Sequence, residues 1–192
     1  MAIVAFWSDE GKETGQTMSM VALSTYMSIE HSYRVLNVSA NFKEETLEDS
    51  YWDMAKMDNM LRGISNDVKK RGELRQSSFE SGVEGLVRVI NSNKTSNSIV
   101  SSYTKVVFKD HLDVLCAPKT QSYEEYRSIS ELYPDIIQAA NRDYDLVFVD
   151  VSRRLPEESS KAILDIADVI VVNTYTDAED LSNRMETSLN LL

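Results

Sequence analysis

Residues 146–151 read Leu-Val-Phe-Val-Asp-Val, and this almost unbroken apolar run decides the fold class. Four similar runs occur, at residues 2–6, 35–38, 112–116 and 169–172. Continuous rather than alternating apolarity is typical of strands that are covered on both faces, as in a parallel sheet. The sequence therefore predicts a mostly parallel sheet buried between two layers of helices.

Segments with helical spacing separate these runs. Residues 17–29 and 123–140 repeat apolar side chains at steps of three and four. Pro156 is a suitable first residue for a helix over 156–167, and Asp177 is a suitable cap for a helix over 178–189. Strands that alternate with helices form α/β domains with right-handed crossovers. We therefore expect an α/β, doubly wound fold with the sheet inside a three-layer sandwich.

One polar stretch, residues 43–103, departs from this rhythm. No strand pair or linker isolates it, so it is predicted to be a helical excursion from a single domain that spans residues 1–192. Two or three helices are predicted within it, over 44–62, 66–74 and 79–90.

The composition excludes several classes of protein. The chain has 192 residues, of which 42% are hydrophobic and 27% charged, and this excludes a disordered or fibrous chain. The formal net charge of -11 argues against a surface built for nucleic acid, and favours a solvated helix end for the basic cluster at 69–71. No apolar stretch reaches the ~18 residues of a membrane span.

Cysteine and histidine are too scarce for several chemistries. The single cysteine, Cys116, cannot form an internal disulfide bond, so a cytoplasmic location is expected. His31 and His111 are isolated, so neither a zinc site nor a cysteine nucleophile with a histidine base is supported. Paired acids such as Glu124 and Glu125 stand at a helix start, where they complement the helix dipole and do not indicate acid–base catalysis.

The loop after the first predicted strand is the candidate binding site. In open α/β sheets, the first strand-to-helix turn commonly holds phosphate on backbone N–H groups. Gly15, Gln16 and Thr17 occupy the place of the Gly-Lys-Ser/Thr ending of such a loop, and the Thr17 hydroxyl is a candidate Mg²⁺ ligand. The predicted nucleotide-binding residues are Gly11, Lys12, Glu13, Thr14, Gly15, Gln16, Thr17 and Met18.

The loop departs from the full motif in two ways. Gln16 replaces the lysine that neutralises the phosphates, although Lys12 is placed to substitute for it. Asp9, Glu10 and Glu13 bring carboxylates to a site for an anion, and each costs on the order of 1 kcal/mol. We therefore expect weak binding of a nucleoside triphosphate, or binding that needs Mg²⁺ or a partner. On this pattern alone, an ordinary turn without a ligand is an equal alternative.

Taken in order, the segments of the chain resemble the MinD/ParA family of P-loop ATPases, whose members carry a deviant phosphate-binding loop. Besides the first strand and its loop, the resemblance is carried by residues 33–42, 112–118, 143–150 and 167–173. Its most specific parts are the Tyr-Asp pair before the run that ends in Asp150 and the Ala-Asp pair before the last run. It implies a P-loop NTPase-like fold with a degenerate Walker A loop, in a bacterial protein similar in kind to the pilus-positioning TadZ-like proteins.

The same resemblance implies roles for individual residues. Asp150 is the Walker-B-like acid that holds Mg²⁺ opposite Thr17, unless it is simply an acidic residue that ends a buried strand. Ser39 and Asn41 stand where the family has two aspartates, one close to the metal and one that positions the attacking water. No catalytic residue is therefore predicted. Hydrolysis is expected to be slow or absent, because the charge spread over the γ-phosphoryl oxygens lacks charged partners.

Two functions are compatible with these observations, and a third is disfavoured. The resemblance implies an ATP- and Mg²⁺-binding switch for positioning, partition or assembly, which forms a homodimer or binds a protein partner when ATP is bound. A pseudo-ATPase that keeps the fold and only binds another protein is the alternative. A cofactor-dependent oxidoreductase is disfavoured, because no Gly-x-Gly-x-x-Gly motif occurs and Ser39 stands where a ribose-binding acid is expected. Family members continue beyond residues 178–189, so the chain is expected to be truncated at its C-terminus relative to them.

Overall fold

The computed structural model describes residues 1–8, 14–42, 46–52, 82–92, 99–120 and 122–174. Their strands are β1 (Ala2–Trp7), β2 (Val35–Ser39), β3 (Lys105–Phe108), β4 (Leu112–Leu115), β5 (Leu146–Asp150) and β6 (Val169–Val172). The strands form one sheet in the order β3-β4-β2-β5-β1-β6. Every neighbouring pair is parallel except β3 and β4, which are antiparallel. The predicted mostly parallel sheet is confirmed.

Helices cover both faces of the sheet. In the described ranges they are α1 (Gln16–Glu30), α2 (Thr46–Tyr51), α3 (Val83–Asn91), α4 (Tyr123–Ser130), α5 (Tyr133–Ala140) and α6 (Glu157–Asp165), with a short 3-10 turn at Val100–Ser102. On one face, Met20 of α1 packs with Phe6 and Phe148. On the other face, Tyr133 and Ile163 belong to a second, larger hydrophobic cluster. The α/β fold with two helical layers is therefore confirmed.

The central strands are buried on both faces, which explains their unbroken apolar runs. All five residues of β2 are buried, and in β5 only Leu146 keeps part of its surface. Asn37 is the polar exception inside β2, and its Nδ2 donates hydrogen bonds to Ser24 Oγ at 2.8 Å and to Tyr51 Oη at 2.7 Å. These two hydrogen bonds offset the loss of water at the amide nitrogen, whereas the buried Oδ1 has no hydrogen-bond partner.

The strand β3 was not predicted. Exposure alternates along it, so its apolar residues do not form a continuous buried run. It lies at the edge of the sheet, where only one neighbouring strand pairs with it. A tight turn with Asp110 at a φ of +66° then reverses the chain into β4. The pattern of continuous apolarity therefore detects the four inner strands and the edge strand β6, and misses the edge strand β3.

The helix predicted over 123–140 is instead two helices, α4 and α5. Helix α4 ends at Ser130, and α5 begins at Tyr133 with Pro134 in its first turn. Proline is tolerated in a first turn, where its missing N–H has no helical partner. Inside a continuous helix, its ring would clash with the preceding turn. The apolar spacing was therefore right, but the prediction of one helix was wrong.

Several predicted segments lie partly or wholly outside the described residues. The helix predicted over 44–62 is described only as α2, and those at 66–74 and 178–189 are outside the described residues, as is the basic cluster at 69–71. The single-domain organisation, the helical excursion and the C-terminal truncation stay predictions. Within the described ranges, no helix is both long and apolar enough to cross a membrane.

The chain leaves the neighbouring strands β1 and β5 in opposite directions. After β1 it crosses through α1 to β2, and after β5 it crosses through α6 to β6 on the other side of β1. Such a reversal opens a crevice at the carboxyl ends of the two strands, where ligands bind in open α/β sheets.

Candidate functional site

The candidate site lies where the carboxyl ends of β1, β2 and β5 meet the start of α1. The strand register places Ser39, the last residue of β2, beside Asp150, the last residue of β5. Gln16 and Thr17 are the first residues of α1, and Asn41 follows β2. The fold therefore brings together the residues that sequence reasoning assigned to phosphate, metal and lost catalytic aspartates.

Asp150 is the centre of the site and is only 1% exposed. Its Oδ1 accepts a hydrogen bond of 2.6 Å from Gln16 Nε2. Its Oδ2 accepts bonds of 2.8 Å from Thr17 Oγ1 and 3.1 Å from Asn41 Nδ2. Burial raises the pKa of the Asp150 carboxyl above its ordinary value, and these three hydrogen bonds oppose that rise. Within the described ranges, no lysine, arginine or histidine forms an ion pair with it.

Gln16 connects the helix to the sheet. Besides its bond to Asp150, its Nε2 lies 3.0 Å from the carbonyl oxygen of Phe6 and 3.1 Å from that of Val151. An amide nitrogen has only two hydrogens, so these three acceptors exhaust its donors. A contact between this nitrogen and a phosphate, which the sequence predicts, requires that at least one of these bonds break.

The start of α1 forms another part of the candidate site. Gly15 precedes the helix with a φ of +69°, a left-handed conformation that glycine adopts without strain. No described side chain caps the helix, and its first turn contains no acidic residue. Unpaired N–H groups and the helix dipole favour a negative ligand at such an end.

The end of β2 is held from the other face of the sheet by two buried tyrosines. The hydroxyl of Tyr126 donates a hydrogen bond of 2.8 Å to the carbonyl oxygen of Ala40. The hydroxyl of Tyr133 donates one of 3.0 Å to the carbonyl oxygen of Ser39. Sequence reasoning treated both tyrosines as apolar helix residues and missed this role. The available signal was that a buried tyrosine hydroxyl usually needs a partner.

The structure describes only part of the predicted nucleotide-binding set. Thr14, Gly15, Gln16, Thr17 and Met18 are described, whereas Gly11, Lys12 and Glu13 lie outside the described residues. Gln16 and Thr17 contact Asp150 directly, and Met18 is 64% exposed on the solvent side of α1.

The donor set at Asp150 is of the kind that Mg²⁺ uses. Mg²⁺ prefers oxygen ligands, is commonly held by one or two carboxylates, and takes its other ligands from water and phosphate. Thr17 and Asp150 supply a hydroxyl and a carboxylate in direct contact. No cluster of three or more His, Cys, Asp or Glu in the described part of the chain forms a metal cage. Thr17 and Asp150 therefore fit a Mg²⁺ ion whose other ligands are phosphate oxygens and water.

Neither a protein-family profile nor a curated protein sequence matches the chain. Among solved structures, it is similar to a ParA family ATPase from Chlorobium tepidum, with a TM-score of 0.63 and 17% identity, covering 94% of this chain and 63% of that one. It is also similar to the septum site-determining protein MinD of Pyrococcus horikoshii, complexed with Mg-ADP, with a TM-score of 0.59 and 14% identity, covering 99% of this chain and 64% of that one.

A third similar structure is the cobyrinic acid a,c-diamide synthase of Mycobacterium smegmatis with bound ADP and magnesium. Its TM-score is 0.58 at 11% identity, over 99% of this chain and 67% of that one. At these identities the similarity shows the fold alone, and it confirms the resemblance to the fold of the MinD/ParA ATPases. The chain spans 63% of the length of the ParA structure and 64% of the MinD structure.

Proposed function

We propose that the chain binds ATP with Mg²⁺ at the Asp150 edge of the sheet and acts as a positional, partition or assembly switch. The observation that carries the proposal is the Asp150 carboxylate, which is 1% exposed, contacts Thr17 and pairs with no cation of the described ranges. Buried charges in proteins are usually paired or coordinate metals. This carboxylate is therefore suited to bind the Mg²⁺ ion that accompanies ATP.

Each part of the site has a distinct task in this proposal. Thr17 and Asp150 hold Mg²⁺, whose charge neutralises the phosphates when it is bound. Backbone N–H groups from Gly15 to Met18 receive the phosphates at the start of α1, where glycine allows close approach. Gln16 holds α1 against β1 and β5, so the Thr17 hydroxyl stays beside Asp150. Lys12, outside the described residues, stays the predicted cation for the phosphates.

Weak or absent hydrolysis is part of the same proposal. Asn41 uses its amide nitrogen as a donor to Asp150, and Ser39 lies 3.5 Å from that nitrogen. Neither side chain is a carboxylate that can orient an attacking water and accept its proton. Phosphoryl transfer depends on such positioning and on charged groups around the transferred phosphate. We therefore expect bound ATP to be hydrolysed slowly or not at all.

Calorimetric titration with Mg-ATP, a slowly hydrolysed analogue and Mg-ADP tests the proposal. The wild-type chain is expected to bind, and Thr17→Val is expected to weaken binding by about tenfold or more, since one metal ligand is lost. Thr25→Val is the matched control, because it makes the same change about two turns along α1. Absence of binding at millimolar concentrations of these nucleotides would contradict the proposal.

The alternative is a pseudo-ATPase scaffold that binds only a protein partner. The satisfied hydrogen bonds of Gln16 and Asn41 favour it, because Asp150 already has three donors without a ligand. Titration of Gln16→Lys separates the two functions. If wild type does not bind and Gln16→Lys does, the scaffold is the better account.

Homodimerisation, a protein partner, a cytoplasmic location and a bacterial source also belong to the proposal. Dimerisation is checked by light scattering of the full chain with Mg-ATP and with EDTA. The switch requires an ATP-dependent increase in mass or, for a partner, ATP-dependent co-purification with a protein from the source cell.

A further inference from the structure

The solvent side of α1 is largely apolar, with Ser19 and the terminal Glu30 as its exposed polar residues. No charged residue occurs from Gln16 to Ile29, although α1 lies at the surface. Surface helices normally carry charged and polar residues on the side that faces water. Four large apolar side chains are exposed along α1, Met18 at 64%, Leu23 at 39%, Tyr26 at 54% and Ile29 at 58%.

The edge strand β6 has an exposed valine on the same face of the sheet as α1. Val171 packs in the hydrophobic cluster that contains Met20 of α1. Alternate residues of a strand share a face, so Val169 lies on the same side of the sheet, where it is 50% exposed. We call Leu23, Tyr26 and Ile29 of α1 together with Val169 of β6 the α1–β6 surface.

The chain leaves β6 against this surface. Asn173 Nδ2 donates a hydrogen bond of 3.1 Å to Ser19 Oγ, in the first turns of α1. Ser19, Leu23 and Tyr26 follow one another at steps of four and three, so they lie on one face of the helix. The described chain therefore ends, at Thr174, at the beginning of the exposed apolar stripe.

Residues 175–192 follow directly and have a sequence that fits the surface. Apolar residues recur in it at steps of three and four, at Ala178, Leu181, Met185, Leu189 and Leu192. Charged residues fall between them, at Glu179, Asp180, Arg184 and Glu186, and Asp177 precedes the first of them. This pattern is typical of a helix with one apolar stripe. A helix over 178–192 would be about 22 Å long, enough to run beside the full length of α1.

We propose that residues 178–192 form an amphipathic helix that packs its apolar stripe on the α1–β6 surface of the same chain. The contact between Asn173 and Ser19 places the segment beside the surface, and a short tether gives an effective concentration of about millimolar. The acidic residues of the segment meet no carboxylate between Gln16 and Ile29. Without nucleotide, a second copy is a weaker candidate for the occupant, because each copy carries a net charge of -11 and the two repel.

Thiol labelling of the full chain tests the proposal. Tyr26→Cys places a reporter in the α1–β6 surface, and Val106→Cys places a control at a residue that is 58% exposed on β3, at the opposite edge of the sheet. The native Cys116 is buried, and burial raises the pKa of its thiol to about 12, so it stays unlabelled while the chain is folded. Each reporter is combined with Leu181→Asp and Met185→Asp, or with the polar-side control Asn183→Asp and Thr187→Asp, which has the same spacing.

The proposal predicts that Leu181→Asp with Met185→Asp speeds labelling at Tyr26→Cys about tenfold, as expected if the segment is seated in about nine molecules of ten. Labelling at Val106→Cys stays unchanged, and Asn183→Asp with Thr187→Asp has no effect at either reporter. Equal labelling at Tyr26→Cys with and without the aspartates overturns the proposal. Protection that grows with protein concentration also overturns it and assigns the surface to a second copy.

Discussion

Two aspartates are buried in this sheet, and their neighbours differ. Asp113, towards the amino end of β4, is 7% exposed, accepts a hydrogen bond of 2.7 Å from Tyr144 Oη and lies 3.9 Å from Arg34 Nη2. The Arg34 guanidinium also lies 4.6 Å from the centre of the Tyr144 ring. Asp150, at the carboxyl end of β5, is bonded to neutral amides and a hydroxyl only.

The difference separates a structural acid from a candidate ligand-binding acid. The charge of Asp113 is balanced inside the chain, so it needs nothing further. The charge of Asp150 is balanced by no described cation, and burial raises its pKa accordingly. Stability alone favours pairing or replacing such a group, whereas functional sites often keep destabilising groups. This contrast supports the assignment of the Mg-nucleotide site to Asp150.

The largest expected effect comes from Asn41→Asp, which places a second carboxylate 3.1 Å from an oxygen of Asp150. In EDTA at neutral pH, the free energy of unfolding should fall by about 3 kcal/mol, because two like charges then share one buried site. Mg²⁺ should restore part of this loss. Urea unfolding measures both effects, with the exposed Asn91→Asp as control. A Mg²⁺-independent loss would mean that these oxygens do not form a cation site.

Replacing each aspartate by asparagine should have opposite consequences. Asp113→Asn should lower the free energy of unfolding by about 1–2 kcal/mol, because the charged partner of Tyr144 and Arg34 is lost. The loss is limited because the Arg34 side chain is 43% exposed and water screens the pair. Asp150→Asn should cost nothing or raise stability by up to about 1 kcal/mol, since a buried uncompensated charge is removed. Urea unfolding in EDTA is the measurement, and equal losses in the two variants would remove the distinction.

The smallest effect is the pH dependence that Asp150 contributes. Its folded pKa is raised above its unfolded value, so its stabilising contribution is complete below the unfolded pKa and is lost as pH rises through the folded pKa. Wild type should therefore gain stability relative to Asp150→Asn as the pH falls from about 7 to about 4. Unfolding curves of both chains across this range measure the difference. A relative loss of wild-type stability on acidification would show that the pKa is lowered instead.

Much of the fold could be predicted from the sequence, because buried strands and helices consist of apolar residues in recognisable patterns. The five apolar runs all became strands. Four of them, β1, β2, β4 and β5, lie inside the sheet, whereas the fifth, β6, lies at its edge and is partly exposed. The strand β3 has no such run, because water reaches one of its sides. The division between α4 and α5 was signalled by Pro134, but the apolar spacing on either side of it obscured the break.

The candidate site was predictable in its members and not in its contacts. Thr17 and Asp150 were placed together by the resemblance to a family, and the structure brings them to 2.8 Å. The engagement of Gln16 with the carbonyl oxygens of Phe6 and Val151 depends on where two strands end relative to a helix. That relation is three-dimensional, so residue type and spacing do not encode it directly.

NMR of the side-chain amides tests the Asp150 site most directly. Gln16 and Asn41 donate to Asp150, whereas Asn37 is buried in the same sheet and donates to Ser24 and Tyr51. With millimolar Mg-ATP, we expect the Gln16 and Asn41 amide signals to shift and the Asn37 signals to stay in place, and we expect EDTA to reverse the shifts. Gln16 and Asn41 signals that stay unmoved with Mg-ATP would contradict it.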